Sequence, residues 1–571
     1  MTRKSDSVIR EVKKRETVQI YLPDNQILEG PRGSQLETFL NVLTPQAPIV
    51  GAVVNGELRE LPYSIEMDSR VRPVTMGSAD GMRIYRRSLT FLLAAAFEEL
   101  HPLAKLTVDH SVSSGGYYCD VTDSDPLTDA ELQKVEDRMR EFVEDDLPFA
   151  KTSTSVAEAI EYFTEKGYTD KVRLLEHRKK TRLVLYQLKS HRDYHHGYMV
   201  PSTGYLQWFA LEKTGSGFTL RFPRRHEPTK ILPLPDYSTL LNTFREYGHW
   251  LHTLGIPNIG ALNDAILAGR AREVILVSEA LHEGRIAEIA ARIAVEHGTT
   301  RLILVAGPSA SGKTTFSKRL SVQLLVRGLS PFPLALDHYF VDRDKTPLDK
   351  NGEYDYESLQ ALDLERLNHD LQKLIQGEQV HLPVYNFITG TREPGEEVKL
   401  APDQLIILEG IHGLNPDLIP EIPSENTFRV YVSALTQLNL DSLNRVSTTD
   451  TRLIRRIVRD AERRGYSAAE TIRRWESVRR GEKRYIFPFQ ENADVMFNSA
   501  LMYEGSAIAP LAEPLIRQVP FGTEEHVEAK RLLTFLDWFL PSDTRLIPDN
   551  SILREFIGGS ILQEFNPWPT S

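Results

Sequence analysis

Gly307-Pro308-Ser309-Ala310-Ser311-Gly312-Lys313-Thr314 satisfies every fixed position of the phosphate-cradling pattern G-x-x-x-x-G-K-[ST]. Its flanks give the pattern weight. Leu302, Ile303, Leu304, Val305 and Ala306 predict a buried strand before it, and Thr315 to Leu325 predict a helix after it with Phe316, Leu320 and Leu324 on one face. At such a strand-to-helix turn the glycines let backbone N–H groups approach phosphate oxygens, and the helix N-terminus adds partial positive charge. Gly307, Ser309, Ala310, Ser311, Gly312, Lys313, Thr314 and Thr315 are therefore the candidate nucleotide-binding residues. Lys313 can reach the β and γ phosphates, and the Thr314 hydroxyl can bind Mg²⁺.

Outward from this loop, the apolar runs end in polar residues. Pro333 to Leu336 leads into Asp337-His338-Tyr339-Phe340, and Leu405 to Leu408 leads into Glu409-Gly410. An open parallel sheet collects its ligands at the carboxyl ends of its strands. A carboxylate there can hold Mg²⁺ or take a proton from an attacking hydroxyl, which a helix-capping carboxylate would not do. Farther on, Arg452 to Arg484 carries twelve Lys/Arg against five Asp/Glu, an excess suited to phosphate or RNA. Leu453, Ile454, Ile457, Val458 and Ala461 form one helical stripe there, which predicts that Arg452, Arg455, Arg456, Arg459 and Arg463 lie around the polar side. Transferring phosphoryl groups need positioned donors, so Arg452 and Arg455, with Arg459, are the expected catalytic lid. Arg473, Arg474, Arg479 and Arg480 are expected at the surface.

The chain has 571 residues, too many for one core. Its net charge of -11 argues against a generally basic nucleic-acid coat and leaves room for a local basic patch. Cys119 is the single cysteine, which excludes an intrachain disulfide and a cysteine-built zinc cluster. The charged start, residues 1–16, lacks a signal-peptide core, and no apolar run reaches the roughly 18 residues of a membrane span. The expectation is a soluble cytoplasmic protein with no membrane partner.

Toward the N-terminus, Thr17 to Leu22 alternates like a strand, Pro23-Asp24-Asn25 signals a turn, and Gln26 to Glu29 can return as a hairpin partner. Gln35 to Leu43 suggests a short helix, Ile49 to Val54 a strand, and Asn55-Gly56 a tight turn before Glu57 to Leu61. Tyr21-Leu22-Pro23-Asp24 and Val53-Val54-Asn55-Gly56-Glu57-Leu58 resemble the ubiquitin-like TGS domain of threonyl-tRNA synthetase. The resemblance continues through a helix at Arg87 to Leu100, the Lys105 to Val108 strand, Gly115-Gly116-Tyr117-Tyr118-Cys119-Asp120, a capped helix after Thr128, and His195-His196-Gly197 with Val200-Pro201-Ser202. It is similar to the second N-terminal, editing-like domain of that synthetase. The family builds its metal site from H-x-x-x-H and C-x-x-x-H pairs. The matching positions here are Phe91, Ala95, His195 and Met199, too few good donors for a hydrolytic metal. His191, His195 and His196 are expected on a solvated polar loop.

The loop region in turn resembles the uridine-cytidine kinase and phosphoribulokinase group. The likeness rests on residues 307–315, Leu336-Asp337-His338-Tyr339, Tyr354-Asp355-Tyr356, Pro383-Val384-Tyr385-Asn386-Phe387 with Arg392, Glu409-Gly410-Ile411, and Thr451 to Arg456 through Asp460. It implies transfer of the γ-phosphoryl group of ATP or GTP to a ribose-linked 5′-hydroxyl. It further implies Asp337 as base, Lys313 on phosphate, Thr314, Asp337 and Glu409 around Mg²⁺, and Asp355, Tyr385 and Arg392 on the acceptor. Gly390 stands where the group has a base-contacting histidine, and Tyr466 where it has a lid arginine.

The resulting expectation is an α/β multidomain chain. A TGS-like unit spans 17–81, a synthetase-like α+β unit 82–225, a helical linker 226–284, a P-loop kinase unit with a parallel sheet 285–500, and a helical extension 501–571. Two alternatives stay open: an RNA-binding regulator that uses the loop as a nucleotide switch, with RNA contact through the N-terminal half, and a kinase for another small alcohol or sugar.

Overall fold

The computed structural model describes residues 15–112, 115–235, 237–296, 298, 300–349, 352–401, 403–436 and 438–567. Most of the charged start, residues 1–14, lies outside them. The first sheet combines β1 (Thr17–Tyr21), β2 (Ile27–Pro31), β3 (Ile49–Val54), β4 (Glu57–Arg59) and β5 (Ser69–Thr75) in the order β2-β1-β5-β3-β4, with α1 (Leu36–Leu40) against it. Val18, Ile20, Ala52 and Val54 supply its buried face, as the alternation predicts.

The next helix, α2 (Ala79–Leu100), starts eight residues before the expected Arg87. Ser78 caps it by accepting from the Gly81 N–H, and Gly81 is required because a Cβ would lie 2.0 Å from the Thr75 carbonyl oxygen. The glycine that looked like a domain end is a close approach inside the first helical turn. After it come β6 (Lys105–Val112), β7 (Gly116–Thr122), α3 (Asp129–Glu144), β8 (Ala150–Ser155), α4 (Val156–Glu165), α5 (Thr169–Glu176), β9 (Arg182–Leu188), β10 (His191–Asp193), β11 (Ala210–Thr214) and β12 (Gly217–Arg221). These form a four-stranded sheet, β11-β12-β7-β6, and a three-stranded one, β10-β9-β8. Thr128 with Glu131 and Ser155 with Glu158 make reciprocal capping boxes at α3 and α4.

The stretch expected as linker plus helices is packed tightly onto the loop region. It holds α6 (Ser238–Thr253), α7 (Ile259–Leu267) and α8 (Ala271–Glu296), a single helix where a start at Arg285 was expected. Tyr247 and Leu251 of α6, Leu262 of α7 and Ile275 of α8 share one apolar cluster with Ile303, Val305 and Phe316.

The loop region continues through β13 (Leu302–Ala306), α9 (Lys313–Val326), β14 (Pro331–Ala335), α10 (Leu364–Ile375), β15 (Gln379–Asn386), β16 (Thr391–Lys399), β17 (Leu405–Glu409), β18 (Thr427–Ser433), α11 (Thr448–Arg464), α12 (Ala468–Tyr485) and β19 (Val495–Asn498). Five of these strands make a wholly parallel sheet, β14-β17-β13-β18-β19. Its strands are covered on both faces: Ile303, Val305, Leu405 and Ile407 enter one apolar cluster, and Leu302, Leu304, Ile406 and Leu408 enter the other. This is the α/β core expected from the loop's flanks. The last helices, α13 (Glu504–Ile516), α14 (Glu524–Leu536) and α15 (Arg554–Ile557), wrap back over α11, α12 and the loop. Among the described residues no helix is long and apolar enough to cross a membrane.

Candidate active site

Neighbouring strands explain the site. Because β14, β17 and β13 lie side by side with the same direction, the segments leaving their carboxyl ends meet, and these carry Asp337, Glu409 and the glycine loop. Glu409 pairs in register with both Val305 and Ala335. The loop has the backbone its residues demand: Gly312 has φ +85°, Ala310 has φ +58°, and a Cβ at Gly307 would lie 2.0 Å from the Val432 carbonyl oxygen.

Lys313 opens α9 and touches the Pro308 carbonyl at 3.3 Å. The Thr314 hydroxyl donates to Glu409 Oε1 at 2.8 Å. Burial pushes the Glu409 carboxyl up to about 7, Lys313 and the Thr314 bond pull it down, and Glu555 and Asp337 add to the rise. The Asp337 side chain is exposed, yet its surroundings remove enough water to raise its carboxyl, with Lys313 opposing. A hydroxyl facing carboxylates with surplus negative charge fits a hard divalent cation such as Mg²⁺, so Thr314, Asp337 and Glu409 are the residues that would hold it.

Across a cleft of about 490 Å³ from Thr314, Glu409 and His338, the β15–β16 hairpin supplies Val384 and Glu396. Tyr385 is buried against Phe340 (5.6 Å between rings) and Phe387 (5.0 Å), and Phe340 meets Tyr356, an aromatic wall suited to a planar ring. Asp355 accepts from the Tyr485 hydroxyl at 3.0 Å. Arg392, the register partner of Tyr385, bonds Asp363 at 2.6 Å, and Asp363 also caps α10. At Gly390 (φ +74°) the side chain of Arg343 lies 2.7 Å from where a Cβ would be, and it donates to the Phe387 carbonyl.

The expected arginine lid is where the structure differs most. Arg452 and Arg455 are fully buried, not on the polar side of α11. Arg452 pairs with the buried Glu482, and burial lowers it to about 10 while Glu482 opposes. Arg455 grips both Glu504 oxygens with Nε and one terminal nitrogen, at 2.7 and 2.6 Å, and donates to the Ser499 carbonyl. The Ser499 hydroxyl in turn donates to the Ser311 carbonyl of the loop. The helix packs its arginine face inward because carboxylates on α12 and α13 neutralise it, information the local pattern does not carry. Arg456, one turn beyond Arg452, reaches the loop instead and donates to Ser309 Oγ at 2.9 Å. Arg479, expected at the surface, is three-quarters or more buried and bonds Glu482 at 2.9 Å.

Two further carboxylates touch the loop. Glu482 accepts from the Ser309 N–H at 3.2 Å, and Glu555 of α15 accepts from the Thr315 N–H (3.1 Å) and hydroxyl (2.9 Å). Glu357, just past the Tyr-Asp-Tyr motif, is pushed up to about 7 by burial and by Glu482. No spacing in the sequence ties these residues to the loop.

Residues 302–502 match the model of the "Phosphoribulokinase / Uridine kinase family". The N-terminal half is similar to threonine–tRNA ligases: 36% identical over 29% of the chain to that of Marinobacter nauticus and 34% over 35% of the chain to that of Paraburkholderia xenovorans. The chain spans 26% and 32% of the length of these two relatives. A solved structure described as a possible uridine kinase from Bacillus stearothermophilus is 21% identical, with 35% of this chain and 88% of that one aligned at a TM-score of 0.24.

In the ligase-like half the four matched positions gather. Phe91 is fully buried, its ring 5.4 Å from that of His195 and 4.8 Å from that of His191, and Ala95 and Met199 lie in the same core. The histidines are not on a solvated loop as expected. His191 bonds Glu98, His195 is buried and held neutral by desolvation, and His196 accepts from Trp538 Nε1 at 3.3 Å. The tail residue Trp538 and the helix α2 enclose what composition alone read as polar.

Proposed function

We propose that the kinase-family half transfers the γ-phosphoryl group of ATP or GTP to the 5′-hydroxyl of a uridine- or cytidine-like nucleoside. The observation that carries this reading is the convergence of Lys313, Thr314, Asp337 and Glu409 at the ends of three adjacent strands. Asp337 takes the proton as the acceptor oxygen bonds to the γ phosphorus and the bond to the β-phosphate oxygen breaks. Lys313 and the loop N–H groups hold the phosphates, and Arg456, which donates to Ser309 Oγ of the loop, adds a cation beside them. Mg²⁺, when bound, neutralises charge on the β and γ phosphates. Asp355 binds ribose hydroxyls, Tyr385 stacks on the base, and Arg392 holds the hairpin edge through Asp363. Arg452 and Arg455 position the loop through Glu482 and Ser499.

The test is product formation with nucleosides, sugar phosphates, other small alcohols and tRNA supplied separately. Nucleoside monophosphate identified by mass spectrometry supports the assignment, and turnover only with a sugar or another alcohol transfers it to that class. A second reading has a specific support: Glu482 and Glu555 already bond the Ser309 and Thr315 N–H groups, so helix positions and loop state are tied, as a nucleotide switch requires. Its RNA partner would come through the ligase-like half, and nucleotide turnover stimulated by tRNA alone would favour it. The ligase-like half itself is proposed not to hydrolyse aminoacyl-tRNA, since Phe91 and Ala95 offer no metal donors.

A further inference from the structure

Between α2 of the ligase-like half and α11 and α12 of the kinase half lies a cavity of about 270 Å³. Its walls carry eight cationic side chains, Arg83, Arg86, Arg224, Arg225, Arg445, Arg452, Arg479 and Lys483, against two acids, Asp450 and Glu476. Both acids are already engaged, Asp450 by Arg531 at 2.7 Å and Glu476 by Arg225. Arg83 is matched by Asp80 and Glu528, and Arg452 and Arg479 share Glu482. Among the described residues, Arg86, Arg224, Arg445 and Lys483 have no carboxylate partner.

All four are half-buried, and gathering like charges round one partly desolvated space without a carboxylate partner is unfavourable unless an anion neutralises them. The groups are also held in place. Arg86 donates to the Met82 carbonyl and lies over Phe222 at 5.6 Å, and Arg445 lies over Tyr117 at 5.0 Å. Burial alone would raise the Tyr117 phenol, yet Arg86 and Arg445 outweigh it and pull it below its ordinary value. A second, independent feature points the same way: Ser447, Thr448 and Thr449 at the N-terminus of the 17-residue α11 line the cavity, and the Ser447 side chain makes no cap bond. Helix N-terminus and hydroxyls add donors for an anion. An adjoining chamber of about 150 Å³ shares Arg83, Arg86 and Arg445 and adds Arg87.

We propose that this cavity binds a small polyphosphorylated metabolite at a site separate from the glycine loop. Its size lies just under the roughly 300–1,000 Å³ of small-molecule pockets, which favours a compact ligand over an RNA strand. The site is wired to the loop: Arg452 and Arg479 face the cavity and hold Glu482, which accepts from the Ser309 N–H. An anion that draws these arginines changes the partner of a loop donor.

Inorganic triphosphate titrated calorimetrically into the full chain is the probe. Lys313→Ala removes the loop's contribution, and this variant is expected to keep one triphosphate site. Arg224→Gln with Lys483→Gln removes two unpartnered cations, so the fold is expected to melt no lower than the parent while triphosphate affinity drops tenfold or more. Loss of all binding in Lys313→Ala, with no loss in the double variant, would assign the anion to the loop and overturn the proposal. Binding of an acceptor-stem RNA that depends on Arg224 and Lys483, without triphosphate binding, would overturn it in favour of RNA.

Discussion

Replacing Asp337 by asparagine keeps the side chain's size and removes the carboxylate proposed to accept the proton. Turnover is expected to fall by about 10² or more with little change in nucleotide affinity, read by steady-state kinetics and calorimetry. Lost nucleotide binding with surviving turnover would make Asp337 a nucleotide ligand and not the base. Lys313→Ala differs in kind, because among the described residues the one hydrogen bond of its ammonium is to the Pro308 carbonyl. Phosphoryl transfer should drop by about 10² or more while the melting temperature stays within a degree or two of the parent. Undiminished turnover would remove the kinase assignment altogether.

At the scale of elements, α11 and α15 decide how the loop is held. Arg455 of α11 is fully buried and bidentate to Glu504, so its removal leaves a buried carboxylate without a counter-charge. Arg455→Met is expected to lower unfolding free energy by about 3–5 kcal/mol, measured by urea denaturation. A lid arginine would instead lose kcat with unchanged stability. Glu555 of α15 occupies the Thr315 N–H and hydroxyl, donors at the start of α9 where an anion is favoured. Glu555→Gln weakens that competitor, and nucleotide affinity should improve by about tenfold, or ~1.4 kcal/mol. Affinity that is unchanged or weaker would show that the contact does not oppose nucleotide binding.

For the whole molecule, the two halves are locked by charge as well as by apolar packing. Lys171 of the ligase-like half lies between Asp193 and Asp441, 3.0 Å from each, and all three are buried. Asp441 comes from the kinase half and also accepts from the Tyr194 hydroxyl. Where the halves fail to match charge, at the cationic cavity, pH becomes a lever. Lys483 is held down to about 7 by burial first and then by Arg225 and Arg479, with Glu476 opposing and Arg224 adding to the fall. Its unfolded value is near the usual ~10.4, so between about pH 7 and 10 the unfolded chain binds the extra proton and this group's contribution to stability rises with pH. Below pH 7 the full penalty of the half-buried ammonium is present. Lys483→Gln should therefore melt above the parent at pH 6, with the gap narrowing steadily as the pH rises through this window toward ~10, and a gap independent of pH would contradict the linkage.

Much of this was legible along the chain. The glycine loop, its strand and helix, and the apolar runs ending at Asp337 and Glu409 are local patterns, since backbone freedom at Gly312 and two-sided burial of a parallel strand are written into adjacent residues. The hairpin of the first sheet and the capped helix after Thr128 were likewise local, and the likeness of each half to its relatives came from motifs of the same kind. What the chain did not disclose depends on contacts between distant segments. Arg452 and Arg455 look like a polar helix face until Glu482, 30 residues on, and Glu504, 49 residues on, turn them inward. His195 and His196 look solvated until α2 and Trp538 cover them. Glu555 lies 240 residues from the donor it occupies. Charge periodicity reports which residues share a helix face, but whether that face meets water or a carboxylate is set by the element packed against it, and only the assembled molecule brings that element there.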